Sequence, residues 1–303
     1  MSFQLIGLND GKDLLEKTFT FNGGEEYVKL HSILRNQVQG YSLNYGFKLI
    51  AHLKDSKDVM KLLMIKDAFD RLEFDKRPEL HLVMPYVPYA RQDRVCVTGE
   101  SHSLAVFCKL INACEFTSVT VVDPHSHVTE ALLDNVKVIT QLNIISHSPF
   151  NEYVVKNMRN IVLVSPDAGA NKKTFEVAKY FGINFIRCDK LRDLATGQIK
   201  ETIVYADDLK GKTCVILDDI VDGGKTFTEL AKVLKARGAE KVILFVTHGI
   251  FSAGINTLFS NGIDEIWTTD SFDHELARRE IKSTSEVDSY HLIELKKYTS
   301  YDL

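Results

Sequence analysis

Cysteine is scarce and ill-arranged: Cys96, Cys108, Cys114, Cys188 and Cys214 are odd in number, scattered, and form no CxxC pair. That argues against a disulfide framework and against a zinc site, and makes a reducing compartment the expectation. Long apolar runs are missing too. Val242–Val246 and Leu62–Ile65 fall far short of the roughly 20 residues of a membrane span. The opening stretch from Met1 to Asp10 has neither a basic nor an apolar segment, so no secretory signal is read there. Nor is there an excess of positive charge. Lys and Arg number 37 against 41 Asp and Glu, a balance of −4. This excludes a global basic field for nucleic acid but leaves room for a local basic pocket. A soluble cytoplasmic protein is expected, without nucleic-acid or membrane partners.

The remainder is ordinary globular material. Apolar residues make up 45% and charged residues 26% of 303, which excludes disordered and low-complexity classes and suits one large domain or two. Short β-branched runs recur at Leu80–Met84, Val119–Val122, Ile161–Val164, Cys214–Leu217 and Val242–Val246. Their continuous apolar character is that of strands buried on both faces. Helical periodicity fills the intervals: Val59–Leu72 behind an N-cap at Ser56, then Ser103–Ala113, Lys172–Phe181 and Thr226–Arg237, the last two stopped by Gly182 and Gly238. Alternating strand and helix predicts an α/β fold with a mainly parallel sheet. At a constant offset of 123 residues (226 minus 103), Ser103 matches Thr226, Leu110 matches Val233, Val119 matches Val242 and His125 matches His248. Either the unit is duplicated, or two αβ units of similar length align this well by themselves. A boundary is expected near Ile139–Phe150. The late run His291–Leu295 has no evident place.

The informative residues follow the strands. Leu80–Met84 leads into Pro85-Tyr86-Val87-Pro88-Tyr89-Ala90-Arg91-Gln92-Asp93-Arg94, and Val119–Val122 into Asp123-Pro124-His125. Ile161–Val164 leads into Ser165-Pro166-Asp167, and Cys214–Leu217 into Asp218-Asp219-Ile220-Val221-Asp222-Gly223-Gly224-Lys225-Thr226. Ligands of open α/β sheets bind beyond the carboxyl ends of the strands. Three acidic loops and one doubly basic loop there suit a polyanion held with a divalent cation. In the last segment a buried strand presents two carboxylates able to meet vicinal hydroxyls or a metal's waters. Asp-Gly-Gly then turns into a helix whose first N–H groups, with the Thr226 hydroxyl, can cradle an anion. A nucleotide-binding P-loop is excluded, because its first glycine position is occupied by Asp219. A plain strand-to-helix turn capped by a Thr is the blander alternative, which the paired aspartates disfavour.

This segment resembles the phosphoribosyl-binding loop of type I phosphoribosyltransferases. Pro-Tyr-x-Pro-Tyr-Ala-Arg91-Gln92-Asp93-Arg94, Asp123-Pro-His125, Ser165-Pro-Asp167-Ala-Gly and Asp189-Lys190-Leu-Arg192 fall in the order of ribose-phosphate pyrophosphokinases, over roughly residues 21–270. The resemblance implies two tandem phosphoribosyltransferase-type (Rossmann-like) domains. Residues 1–141 would form the ATP-binding side, and 142–285 the ribose 5-phosphate loop and a catalytic flap, with a tail of 286–303. It implies transfer of the β,γ-diphosphate of ATP to O1 of ribose 5-phosphate with Mg²⁺ as cofactor, and a homo-oligomer, a dimer or a hexamer built from dimers. Phe21, Glu25, Arg91, Gln92, Arg94 and His125 would bind ATP, and Asp218, Asp219, Asp222, Gly223, Gly224, Lys225 and Thr226 would hold ribose 5-phosphate. His125 would approach a Mg²⁺ and Asp167 a second metal or the ribose, the bland alternative for Asp167 being a helix-capping carboxylate ahead of Lys172. Lys190 and Arg192 would ride on a flap over the transferring group, their bland alternative being a solvated charge pair beside Asp189 and Asp193. Two rival readings are a phosphoribosyltransferase that consumes the diphosphate product and a catalytically silent regulatory homologue. The first has no use for the Arg91–Arg94 segment, and the second is expected to lose Lys190 and Arg192.

Three departures stand out against the pattern of similar enzymes. Gly23 replaces the Asp of the adenine-binding Phe-x-Asp-Gly-Glu, which puts strict adenine selectivity in doubt. Asp222-Gly-Gly-Lys225-Thr226 lacks one hydroxyl of the usual sugar loop and adds a cation that can reach the 5-phosphate. After Arg94, where many relatives carry a basic segment linked to regulation by phosphate and ADP, Val95-Cys96-Val97-Thr98-Gly99 offers no charge for anion capture. Weak or absent regulation of that kind is expected; strong ADP inhibition competitive with phosphate would contradict it.

Overall fold

A computed structural model describes residues 3–8, 11–31, 46–72, 77–192, 199–272, 280–281 and 287–296, with the side chains of 190–192 and 199–201 outside the description. The chain divides into two compact units, Met1–Ile139 and Thr140–Leu303.

In the first unit, β1 (Phe3–Gly7) runs antiparallel to β4 (Gly46–Ala51). β4 is followed in parallel by β5 (Glu79–Met84), β6 (Ser118–Val122) and β7 (Val136–Ile139), in the order β1-β4-β5-β6-β7. Helix α1 (Ser56–Asp70), α2 (Ser103–Asn112) and α3 (His127–Leu132) connect them. Leu62, Ile65 and Phe69 of α1, with Leu104, Phe107 and Ile111 of α2, are spaced three and four residues apart. They bury against Leu5, Phe47, Leu49 and Leu82, all at 2% exposure or less. The N-cap of α1 is Asp55 rather than the expected Ser56. Its carboxylate accepts from Lys57 N at 2.9 Å and Asp58 N at 3.0 Å, and a charge there gains from the helix dipole, which a hydroxyl does not. A separate hairpin of β2 (Leu15–Thr20) and β3 (Glu26–Leu30) is antiparallel.

The second unit holds a seven-stranded sheet, β10-β9-β8-β11-β12-β13-β14. Its members are β8 (Ile161–Ser165), β9 (Phe185–Arg192), β10 (Ile199–Val204), β11 (Thr213–Val221), β12 (Lys241–Gly249), β13 (Glu265–Thr269) and β14 (Tyr290–Ile293). All neighbours are parallel except β9 and β10. Its helices are α4 (Gln141–His147), α5 (Pro149–Asn157), α6 (Asn171–Phe181), α7 (Lys225–Ala236) and the short α8 (Asn256–Phe259). Gly182 (φ +66°) and Gly238 (φ +93°) turn the chain out of α6 and α7, as the sequence predicts. The unplaced run near residue 291 is β14, the sheet's edge strand. β11 continues four residues past Leu217, because β12 goes on pairing with it through Ile220↔His248 and Val221↔Gly249. The sheet hydrogen bonds override two aspartates that read as a strand end. The 123-residue correspondence is real for α2–β6 and α7–β12, each a helix feeding a parallel strand. It fails at the histidines: His125 is exposed beyond β6, whereas His248 lies inside β12 at 2% exposure with Nδ1 2.8 Å from Ser271 Oγ. Among the described residues, no helix is long and apolar enough to cross a membrane.

The amino edge of this sheet is clamped by Glu265, which is 5% exposed. Trp267 Nε1 donates to its Oε1 at 2.6 Å, His291 Nε2 lies 3.0 Å from the same oxygen, and Lys241 Nζ pairs with Oε2. The Trp267 and His291 rings stack with centroids 3.9 Å apart, which fastens β14 to β13. Burial alone would raise the Glu265 carboxyl, but His291, Lys241 and Trp267 outweigh it and hold it at about 2. A carboxylate depressed below its unfolded value stabilises the fold above that value and loses the contribution as pH falls toward the folded one. Glu265→Gln is therefore expected to cost about 2–3 kcal/mol at pH 7, and less at each step from about pH 4.5 down to pH 2. Urea unfolding at each pH checks this; a gap that stays constant would show that charge is not its source.

Candidate active site

In the first unit, the residues expected to meet a nucleotide lie on the hairpin turn and on the loops after β5 and β6. Phe21 is 48% exposed, edge-on to Phe19 at 4.8 Å and to Tyr27 at 6.1 Å. Phe21 N donates to Glu25 O at 2.7 Å and Gly24 N to Phe21 O at 2.8 Å. Gly24 takes φ +91° to close the turn, and Glu25 is exposed. The hairpin is tied to α1 through Glu26, which accepts from Thr20 Oγ1 at 2.8 Å and lies 3.4 Å from Lys61 Nζ.

Arg91, Gln92 and Arg94 are exposed after β5. Tyr89 enters the left-handed region at φ +62°, Gln92 N bonds Tyr89 O, and Gln92 Oε1 accepts from Ser103 Oγ at 2.5 Å at the start of α2. Gln92 therefore braces the loop, and Arg94 lies 3.7 Å from Asp93. Cys96 N and Val97 N both donate to Glu100 Oε2, so the segment lacking basic residues is organised around a carboxylate. His125 follows Asp123, a buried residue held at φ +37° with its N–H on Ile139 O. A non-glycine residue there stores strain of a kind that clusters at functional sites. β5 and β6 are parallel neighbours, so both loops leave the same edge of the sheet.

In the second unit, Asp167 follows β8, and Asp218 and Asp219 end the apolar stretch of the adjacent parallel strand β11. Asp167 Oδ1 accepts from Ala170 N at 3.2 Å; α6 itself has no side-chain cap, so this bond folds the turn ahead of the helix and leaves the carboxylate at the strand end. Asp219 N donates to Asp218 Oδ1 at 2.9 Å. Burial raises the Asp218 carboxyl well above its ordinary range, and the adjoining Asp219 and Asp167 carboxylates push it in the same direction. Gln141 braces this strand end: its Nε2 donates to Asp218 O at 2.6 Å and to Thr247 Oγ1 at 3.3 Å. The sequence gives no sign of that residue, which opens a helix far upstream.

Gly224, at φ +76°, caps α7, and a Cβ on it would meet Leu258 Cδ2 at 2.7 Å. Thr226 is thus inside the helix and does not cap it. Phe227 N and Thr228 N both bond Gly224 O, at 2.9 and 3.0 Å, and the N–H groups of Lys225 and Thr226 stand at the helix mouth. Lys190 and Arg192 are on β9, where pairing with β8 covers only Phe185, Ile186 and Arg187. Beyond that point β9 and β10 continue as a two-stranded ribbon, with Lys190↔Thr202 and Arg192↔Ile199. The side chains of Lys190 and Arg192, and Asp193 altogether, lie outside the described residues. Among the described residues, no group of three or more His, Cys, Asp or Glu is arranged to hold a metal ion by itself.

The family described as phosphoribosyl synthetase-associated domain matches residues 188–295. A ribose-phosphate pyrophosphokinase of Thermococcus kodakarensis is 28% identical over 271 residues, covering 89% of this chain and 90% of its own length. That of Pyrococcus furiosus is 28% identical over 255 residues, covering 83% and 84%. A crystal structure of phosphoribosylpyrophosphate synthetase from Mycobacterium smegmatis superposes with a TM-score of 0.76 at 21% identity, covering 96% of this chain and 89% of that one, and shows a shared fold.

A carboxyl whose folded value is raised favours the fold in its protonated form, and that contribution fades as pH rises through the raised value. Replacing Asp218 by Asn keeps the acceptor for Asp219 N and removes the charge. Asp218→Asn is expected to raise the melting temperature at pH 8 by a few degrees, at about 2–4 °C per kcal/mol, and to change it little at pH 4. A lower melting temperature at pH 8 would refute the account of Asp218 as a source of repulsion.

Proposed function

The chain belongs to the ribose-phosphate pyrophosphokinase family, and we propose on that premise that it transfers the β,γ-diphosphate of ATP to the 1-hydroxyl of ribose 5-phosphate, releasing AMP and feeding nucleotide synthesis. The observation that carries the reading is the β11–α7 segment, in which two acidic residues and a helix mouth without a side-chain cap follow one another on the carboxyl edge of a parallel sheet. Asp218 and Asp219 suit the vicinal hydroxyls of a ribose. Gly223, Gly224, Lys225 and Thr226 suit its 5-phosphate, through backbone N–H groups, one hydroxyl and one ammonium. On the other unit, Phe21 offers an exposed ring face for a base, Glu25 an acceptor, and Arg91, Gln92 and Arg94 donors for the base and the phosphates. His125 suits the triphosphate.

The acidic donor set fits a hard divalent cation. Asp218 is held under repulsion from Asp219 and Asp167, and Mg²⁺ is held by one or two carboxylates together with substrate phosphates rather than by a closed protein cage. His125 is proposed to approach a Mg²⁺ at the triphosphate and, separately, Asp167 a second metal or the ribose. When bound, Mg²⁺ supplies neutralisation of phosphate charge. The chain's own contribution is positioning: the sugar hydroxyl is aimed in line at the β-phosphorus by the hold on its 5-phosphate and ring hydroxyls. Lys190 and Arg192, carried on the β9–β10 ribbon, are proposed to stabilise the charge that develops on the transferring and leaving oxygens. A homo-oligomer is proposed as well, which sedimentation would test.

Incubation with Mg²⁺, ribose 5-phosphate and each nucleoside triphosphate in turn tests the activity; AMP formed from ATP is the expected product. With Gly23 in the adenine turn, other triphosphates are expected to serve in part. Lys190→Ala is expected to lower kcat by about two orders of magnitude or more while the dissociation constant for ATP stays within roughly threefold. Unaltered turnover would remove Lys190 from the mechanism.

A further inference from the structure

Asp222 stands two residues ahead of Gly224, the cap of α7. A carboxylate near a helix mouth is favoured by the same N–H groups and dipole that attract a phosphate, so it competes with an anionic ligand for them. The structure gives this carboxylate a partner on another segment. Ser252 Oγ donates to Asp222 Oδ1 at 2.5 Å, and a Cβ on Gly223 would lie 4.0 Å from the same hydroxyl, so Ser252 flanks the loop. Its position is firmly set. Ile250 N and Phe251 N both donate to Val221 O, at 2.8 and 3.3 Å, which staples the segment after β12 to the end of β11. Phe251 is 2% exposed and adopts φ +50°, and its ring lies so close over Gly249 that a Cβ there would meet it at 2.1 Å. Leu258 of α8, a few residues on, packs against Gly224. A strained residue and two glycines that admit no side chain thus seat one hydroxyl beside one carboxylate.

We propose that Ser252 is a positioning residue: it holds the Asp222 carboxylate off the mouth of α7, so that the N–H groups of Lys225 and Thr226 meet the substrate's phosphate and not the protein's own charge. The inference rests on the reading of residues 222–226 as the ribose 5-phosphate loop. It assigns Asp222 an organising role at the start of that loop, with Ser252 as one residue that holds its carboxylate.

Ser252→Ala is expected to raise the KM for ribose 5-phosphate about tenfold while kcat and the KM for ATP stay within roughly twofold. Ser252→Thr, which keeps the hydroxyl, stays near the parent. The proposal is overturned by an unchanged KM for ribose 5-phosphate in Ser252→Ala, by equal rises for both substrates with a lower melting temperature, or by a Ser252→Thr variant as impaired as Ser252→Ala. If the parent chain forms no AMP, the functional reading fails separately. Calorimetric titration with inorganic phosphate then decides the proposal: weaker binding to Ser252→Ala supports it, and equal binding ends it.

Discussion

Repulsion between carboxylates at the end of a buried strand is the constraint around which the second unit is arranged. β11 is apolar from Cys214 to Leu217 and fully covered there, so Asp218 and Asp219 emerge where water is scarce and the screening of charge is poor. The backbone around them is nevertheless tightly held, by Gln141 on the Asp218 carbonyl and by β12 pairing through Ile220 and Val221. On the proposed function, a strand end that is rigid and electrostatically unfavourable is prepared for a ligand that supplies positive charge or hydroxyl donors. The cost is met by the rest of the fold.

The loop that follows shows the same economy in backbone form. Gly224 must be glycine for two independent reasons, a positive φ and the Leu258 side chain that occupies the place of a Cβ. The contact with Leu258 ties the anion loop to α8, and through the segment after β12 to the Val221 carbonyl. Loop and flanking segment are one packed body. Side chains remote in sequence can therefore adjust how the helix mouth presents its N–H groups.

Much of this was legible beforehand, for stated reasons. Continuous apolar runs named β5, β6, β8, β11 and β12, because strands buried on both faces have no polar alternation to hide. Gly182 and Gly238 marked helix ends, because only glycine turns left-handed without strain. What the sequence hid was set by tertiary contact. Asp218 to Val221 read as a loop, since two carboxylates resemble a strand end until the neighbouring strand is seen to continue. Ser56 was the expected cap until Asp55 took the place. His125 and His248 looked equivalent, yet one ends beyond its strand and the other is locked to Ser271 inside it. Gln141 and Ser252 carry no motif at all. They matter by contacts with residues 77 and 30 positions away, a separation at which spacing says nothing.

The two edges of the second sheet place the same chemistry in opposite circumstances. Glu265, at the amino end of β13, is as deeply buried as Asp219 in β11, each at 5% exposure. Yet the carboxyl of Glu265 is held at about 2, while that of Asp218, beside Asp219, is driven well above its ordinary range. Burial acts in the same direction on both, so the difference lies in partners: an ammonium, an imidazole and an indole N–H at one edge, further carboxylates at the other. A carboxylate with its partners supplied by the protein stabilises, and one left among its own kind is, on the proposed function, where a ligand would supply them. The sheet therefore fastens its edge strand β14 at its amino edge and gathers like charges at its carboxyl edge. That asymmetry follows from the direction of the parallel strands: their carboxyl ends converge with helix amino termini on one edge, and only that edge can pair acidic side chains with an anion cradle.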